Sequence, residues 1–258
     1  MTMPIPLCPM RLHHMPRALA FGATDIGPVR ESNEDNFLFD EALGLSMVAD
    51  GLGGHAAGDV ASAAALTELR DYLAVHAAWS APAAAVRLLH AAVEHANTRL
   101  YARNCARKQL EGGMGATLTG FWRPADAGAL LIAFHVGDSR LYRLRAGALE
   151  QLTRDQTVYQ QALEAGALDR LPARNLLLQA LGPSASVAPE VRAHTVMPGD
   201  LLLLCSDGLH GSVADGEIEQ LLAGAQAHQL ESLCAQLIEM AKQYGGQDNM
   251  TVLLTLCH

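Results

Sequence analysis

Residues 48–59 read VADGLGGHAAGD. Val48 and Ala49 close an apolar run of strand length, Asp50 ends it, and Gly51, Gly53 and Gly54 follow before an alanine-rich stretch of helical character. A carboxylate at the end of a buried strand, beside a backbone almost free of side chains, has two explanations. Asp-Gly is ordinary turn chemistry. Alternatively, the glycines expose backbone carbonyls and let another molecule approach closely.

The arrangement recurs. FHVGDSR brings a strand to Asp138, LLLLCSDG brings one to Asp207, and GGQDNMTVLL starts one at Asp248; RESNED adds Glu34 and Asp35 near the first strands. Any one of these fits a turn. Four at strand ends, each beside small residues, fit a rim where a sandwich gathers its carboxylates. Converging carboxylates repel one another and need cations. Oxygen donors without thiolate or imidazole suit Mg²⁺ or Mn²⁺, and such ions activate water and neutralise phosphate oxygens. Arg30, four residues before Glu34, is either a surface charge or a bidentate phosphate grip.

Strand-length apolar runs surround these positions: LAFGATDIG (19–27), NFLFD, LGLSMVAD, ATLTGFW, ALLIAFHVG, RLYRLRAG, VRAHTV, LLLLC and the terminal MTVLLTLCH. Apolar residues three and four apart predict helices over Ala56 to about His76 and from Pro82 to about Lys108, and two more over about Asp215–Gly224 and Gln229–Tyr244. The order of strands, two helices, strands, two helices and a strand is not βαβ alternation. It predicts an α+β fold of antiparallel sheets with helices layered outside. Asp155–Gly182, with short helical pieces and Pro172, reads as a lobe inserted over that core.

Composition narrows the class. The chain has 258 residues, half of them hydrophobic, which is enough for a sizeable core. A net charge of −9 repels phosphate backbones, so nucleic-acid binding is not expected. The five cysteines are odd in number and irregularly spaced, as reduced thiols in a cytoplasmic protein would be. No run of about 18 apolar residues exists, so no membrane span is expected. Residues 1–17, with prolines and histidines, are expected to be a loose extension before a single domain over 18–258; Met10 and Met15 are alternative starts.

RESNEDNF (30–37), VADGLGGHAAGDVAS (48–62), MGATLTG (114–120), VGDSRLY (136–142), QLTRD (151–155), NLLLQALG (175–182), LLLCSDGL (202–209) and QDNMTVLL (247–254) stand in the order of one family. The chain resembles the PP2C-type (PPM) metal-dependent serine/threonine protein phosphatases in their bacterial stand-alone form. The resemblance implies a four-layer αββα sandwich that hydrolyses phosphoserine and phosphothreonine in proteins by attack of a water bridging two Mn²⁺ or Mg²⁺ ions. It implies that Asp50 bridges both ions, that the Gly51 carbonyl binds one, and that Asp207 and Asp248 hold the other. It gives Glu34 and Asp35 roles through ion-bound water, Arg30 the substrate phosphate, Asp138 a third and weaker metal site, and Asn249 a supporting place beside Asp248. Residues of about 155–182 match the family's mobile flap. The implied partners are phosphorylated proteins, among them a serine/threonine kinase that the enzyme opposes, and a monomer is expected.

Two departures stand out. Leu52 occupies the place where some members carry a histidine proposed to protonate the leaving alcohol; the nearest histidine is His55, and the general acid is left unassigned. The family usually has Asp-His after LT-x, where this chain has Asp155-Gln156, a change in the flap that removes no ligand of the two-metal core. Other phosphatase and hydrolase classes fail on their motifs. No cysteine has an arginine six residues on, as a thiolate phosphatase requires, and neither G-x-S-x-G nor G-x-x-x-x-G-K-[ST] occurs. A catalytically dead binding module is the rival class, but such copies usually lose a metal aspartate, and Asp50, Asp207 and Asp248 are all present.

Overall fold

The computed structural model describes residues 13–15, 18–53, 56–77, 81–106, 113–167 and 171–258. In chain order these form β1 (His13–Met15), β2 (Ala18–Asp25), β3 (Asn36–Asp40), β4 (Leu45–Ala49), β5 (Gly51–Leu52), α1 (Ala56–His76), α2 (Pro82–Ala106), β6 (Gly115–Ala116), β7 (Leu118–Trp122), β8 (Leu130–Val136), β9 (Arg140–Arg145), β10 (Ala148–Gln151), α3 (Val158–Glu164), β11 (Glu190–Thr195), β12 (Leu201–Cys205), α4 (Asp207–His210), α5 (Asp215–Leu222), α6 (Leu230–Gln243) and β13 (Met250–Cys257). Every strand pair is antiparallel. One sheet runs β1-β2-β13-β12-β9-β10, the other β11-β8-β7-β4-β3, and β5-β6 form a small third ladder.

The strands are apolar on both faces because each face meets a different layer. In β12, Leu201, Leu203 and Cys205 join the core under α4, α5 and α6, while Leu202 and Leu204 turn to the core between the sheets. In β4, Leu45, Met47 and Ala49 pack beneath α1 and α2, and Val48 points the other way. Period-two alternation therefore feeds three apolar layers, and the result is the expected αββα sandwich. Proline at the first position of α2 costs nothing there, since that N–H would lack a helical partner.

Some details differ from the sequence reading. The second helix ends at Ala106; residues 107–110, including Lys108, lie outside the described residues. ATLTGFW is broken at Thr117 into β6 and β7. The strand β10 is an addition: Ala146 and Gly147 both take positive φ (50° and 86°), a two-residue hairpin that folds Ala148 back onto Arg145. Within 1–17, His13–Met15 pair with β2 as an edge strand, and the rest lies outside the described residues.

Candidate active site and metal centre

Sheet topology alone brings the carboxylates together. β4 and β8 both run antiparallel to β7, so they run parallel to each other and end at the same edge of their sheet. Asp50 follows one and Asp138 lies just beyond the other. In the facing sheet, the end of β12 pairs with the start of β13, Cys205 opposite Val252, which sets Asp207 near Asp248. β2 ends at the same edge, Asp25 opposite Met250, and launches the loop that carries Arg30, Glu34 and Asp35. The chain crosses from one sheet to the other at this rim, through Gly137, Asp138 and Ser139.

The product is a cleft of about 190 Å³ lined by Arg30, Glu34, Asp50, Gly51, Asp138, Asp207, Asp248 and Asn249, with Asn175 and Leu177 of the flap on its far wall. Asp35 does not line the cleft. It is buried and accepts a hydrogen bond from Ser206 Oγ at 2.6 Å.

Local bonds hold each group in place. The backbone N–H of Asp50 donates to Thr117 Oγ1 at 2.9 Å, and Thr117 N–H returns a bond to the Asp50 carbonyl at 2.8 Å. Asn249 donates its amide to the carbonyls of Ile26 and Ser32, each at 2.9 Å. Arg30 reaches Asp248 Oδ2 at 2.6 Å with its guanidinium half-exposed. At Gly58, a Cβ would collide with Glu34 Oε2 and stand 3.0 Å from the Gly51 carbonyl carbon, so a larger residue would push the Glu34 carboxylate out of its place. His210 donates Nε2–H to the Asp138 carbonyl at 3.0 Å, and loss of water around its partly buried ring pushes its pKa down to about 3.

The electrostatics are those of a site built for cations. Burial raises the carboxyls above their usual range, and mutual repulsion adds to it: Asp138 goes to about 8, Asp35 to about 7, Asp207 to about 6, and Asp50 well above normal. Asp207 Oδ1 is buried with no hydrogen-bond partner. A native fold seldom strands a carboxylate oxygen in this way unless something else binds it. Among the described residues, no group of three or more Asp, Glu, His or Cys side chains stands close enough, as placed, to hold a metal ion. Mg²⁺ is commonly held through one or two carboxylates, with bound water completing its shell.

Of the residues expected to form the site, Arg30, Glu34, Asp50, Gly51, Asp138, Asp207, Asp248 and Asn249 line this cleft and Asp35 does not. Sequence reasoning misses Thr117, Ser206, Gly58, His210 and the flap residues Asn175 and Leu177. His55 lies outside the described residues.

Comparison with known proteins agrees with this architecture. A model of the protein phosphatase 2C family matches residues 29–255. The serine/threonine phosphatase Stp of Listeria monocytogenes is 34% identical over 245 residues, spanning 90% of this chain and 92% of that protein. The catalytic domain of the serine/threonine phosphatase PstP in complex with two manganese ions superposes with a TM-score of 0.79 at 34% identity, covering 93% of this chain and 98% of that one. PppA, a regulatory component of the type VI secretion system in Pseudomonas aeruginosa, superposes at 0.82 with 31% identity, covering 95% and 99%. The chain belongs to the protein phosphatase 2C family of serine/threonine phosphatases.

Proposed function

We propose that this phosphatase hydrolyses phosphoserine and phosphothreonine in proteins with two Mn²⁺ or Mg²⁺ ions held by Asp50, the Gly51 carbonyl, Asp207 and Asp248. The observation that carries the reading is the convergence of Asp50, Asp138, Asp207 and Asp248 on one cleft, with Asp207 Oδ1 left bare. When bound, the ions would supply an activated water and neutralise the phosphate oxygens. Asp50, Asp207 and Asp248 fix where that charge stands. Glu34, on the cleft wall, would act on the ions through water; Asp35, buried against Ser206, would steady the cluster; Asp138 would hold a third, weaker ion. Arg30, at the cleft mouth, grips and orients the substrate phosphate.

No imidazole lines the cleft among the described residues. His210 is neutral and its Nε2 proton is engaged by the Asp138 carbonyl. The group that protonates the leaving alcohol is left unassigned. The substrates we infer are phosphoproteins of a serine/threonine kinase system, the kinase among them. The four described cysteines are unpaired, which supports the cytoplasmic setting. No helix among the described residues is long and apolar enough to cross a membrane.

The deciding experiment is turnover of a phosphothreonine peptide after EDTA treatment and after Mn²⁺ or Mg²⁺ is restored. Loss and recovery are expected; equal rates with and without chelator would overturn the two-metal reading.

A further inference from the structure

Gln156 stands where the family usually has histidine, and it is almost fully buried. Its side-chain Oε1 accepts two hydrogen bonds, from Gly137 N–H and from Gln179 Nε2, both at 2.9 Å. Both lone pairs of that oxygen are therefore used. Gln179 clasps the backbone of Ala188 with the same amide: Nε2 donates to the Ala188 carbonyl at 2.8 Å and Oε1 accepts its N–H at 3.0 Å. A chain of amides thus runs from Ala188, before β11, through Gln179 and Gln156 to Gly137, the neighbour of Asp138.

The backbone follows the same path. Gln156 N–H donates to the Gly137 carbonyl at 2.7 Å, Leu178 N–H to the Gln156 carbonyl at 2.8 Å, and Val158 N–H to the Leu176 carbonyl at 2.8 Å. Thr157 bridges Leu177 in the same short antiparallel contact. This places Asn175 and Leu177 on the catalytic cleft while Leu176 and Leu178 face solvent.

We infer that the Gln156–Gln179 amide pair is the device that positions the flap wall of the cleft against the Asp138 turn. Neither residue lines the cleft, so both are positioning residues. The inference rests on the phosphatase reading and adds to it a role for the residue at which this chain departs from its family. A glutamine suits the task because one carbonyl oxygen takes two donors while its geometry is fixed by burial.

The test is substrate-split kinetics at saturating Mn²⁺. Gln156→Met and Gln179→Met keep side-chain length and remove the bonds. A phosphothreonine peptide must pass the flap wall, whereas a small aryl phosphate needs only the metal centre. Each variant should lose about tenfold in kcat/KM on the peptide, the order expected for losing buried hydrogen bonds, and stay within about twofold on the aryl phosphate. Because both act in one chain of bonds, the double variant should lose little more than either single one. Trypsin should also cut within 155–182 faster in all three. Equal losses on both substrates, unchanged peptide kinetics, or fully additive losses would each overturn the inference. Gln179 is only partly buried, so its variant keeps the test open if Gln156→Met folds poorly. A wild type inactive on both substrates would instead refute the phosphatase reading itself.

Discussion

Asn249 Oδ1 accepts the backbone N–H of Glu34 at 2.9 Å, although the two residues are 215 positions apart. With the two bonds from its amide to Ile26 and Ser32, one side chain ties the Arg30–Asp35 loop to the start of β13. Asn249→Ala would leave three backbone groups to find other partners. It should cost about 1–3 kcal/mol of stability, lower Mn²⁺ affinity and reduce turnover together. Thermal unfolding with and without Mn²⁺ checks this; a variant with wild-type melting and metal affinity would reduce Asn249 to a bystander.

The sequence makes much of this arrangement legible, for definable reasons. The bounds of helix α1 are readable because alanine and leucine recur at helical spacing. The carboxylate rim is legible because strand ends in antiparallel sheets share edges, so DG and GDSR after apolar runs imply proximity. What stays hidden depends on pairs distant in sequence. Gly58 lies against the Glu34 carboxylate and the Gly51 backbone, and Gln156 bonds Gln179 and Gly137, contacts that no local sequence pattern reveals. β10 (ALEQ) is half-exposed and too weakly apolar to be read as a strand, yet the hairpin at Ala146-Gly147 forces it back onto β9.

Arg30 carries a different kind of prediction. Its guanidinium touches Asp248 and sits at the mouth of the cleft, half-exposed. A phosphate contact there exists in the ground state as well as the transition state, so Arg30→Ala should mainly raise KM. Lysine cannot reproduce a two-point grip, and Arg30→Lys should recover only part of the loss. An unchanged kcat/KM in Arg30→Ala would make Arg30 a plain surface charge.

His135 predicts a pH dependence of stability. It is buried between the sheets, with Nε2–H donated to the Arg154 carbonyl at 3.1 Å and Nδ1 facing the Thr119 hydroxyl at 2.7 Å. Burial lowers its pKa to about 4, from an ordinary value of 6.5. The unfolded chain therefore binds its proton first as acid is added. Stability present above pH 6.5 is lost as pH falls toward 4, by on the order of 3 kcal/mol. The metal-site carboxyls have raised values and act with the opposite sign, so wild type and His135→Gln should be compared in EDTA, where that contribution is common to both. Urea unfolding between about pH 4 and 7 should show a steeper acid decline in the wild type; parallel curves would show that His135 does not titrate with unfolding.

Asp138 separates a third ion from a structural turn. It is nearly buried, lines the same cleft as Asp50 and Asp207, and its carbonyl is held by His210. Asp50 and Asp138 come from the five-stranded sheet and Asp207 and Asp248 from the facing one, but only Asp138 adjoins the flap anchor at Gly137. Asp207→Asn should therefore damage the core itself: one of the two ions loses its position, and turnover should fall at least ~10²-fold, because metal activation of water is worth several kcal/mol. Asp138→Ala should leave two Mn²⁺ bound by calorimetry and still lose turnover, through the missing third ion. It should not lose stability in the metal-free protein, since burial, and then repulsion from Asp207 and Asp155, disfavours a carboxylate there. If Asp138 instead only shapes the VGDSR turn, the variant will melt lower and turn over normally at saturating metal. Calorimetric metal counts, melting temperature and turnover on the same two variants distinguish these outcomes, and a one-ion Asp138→Ala would move Asp138 into the core pair.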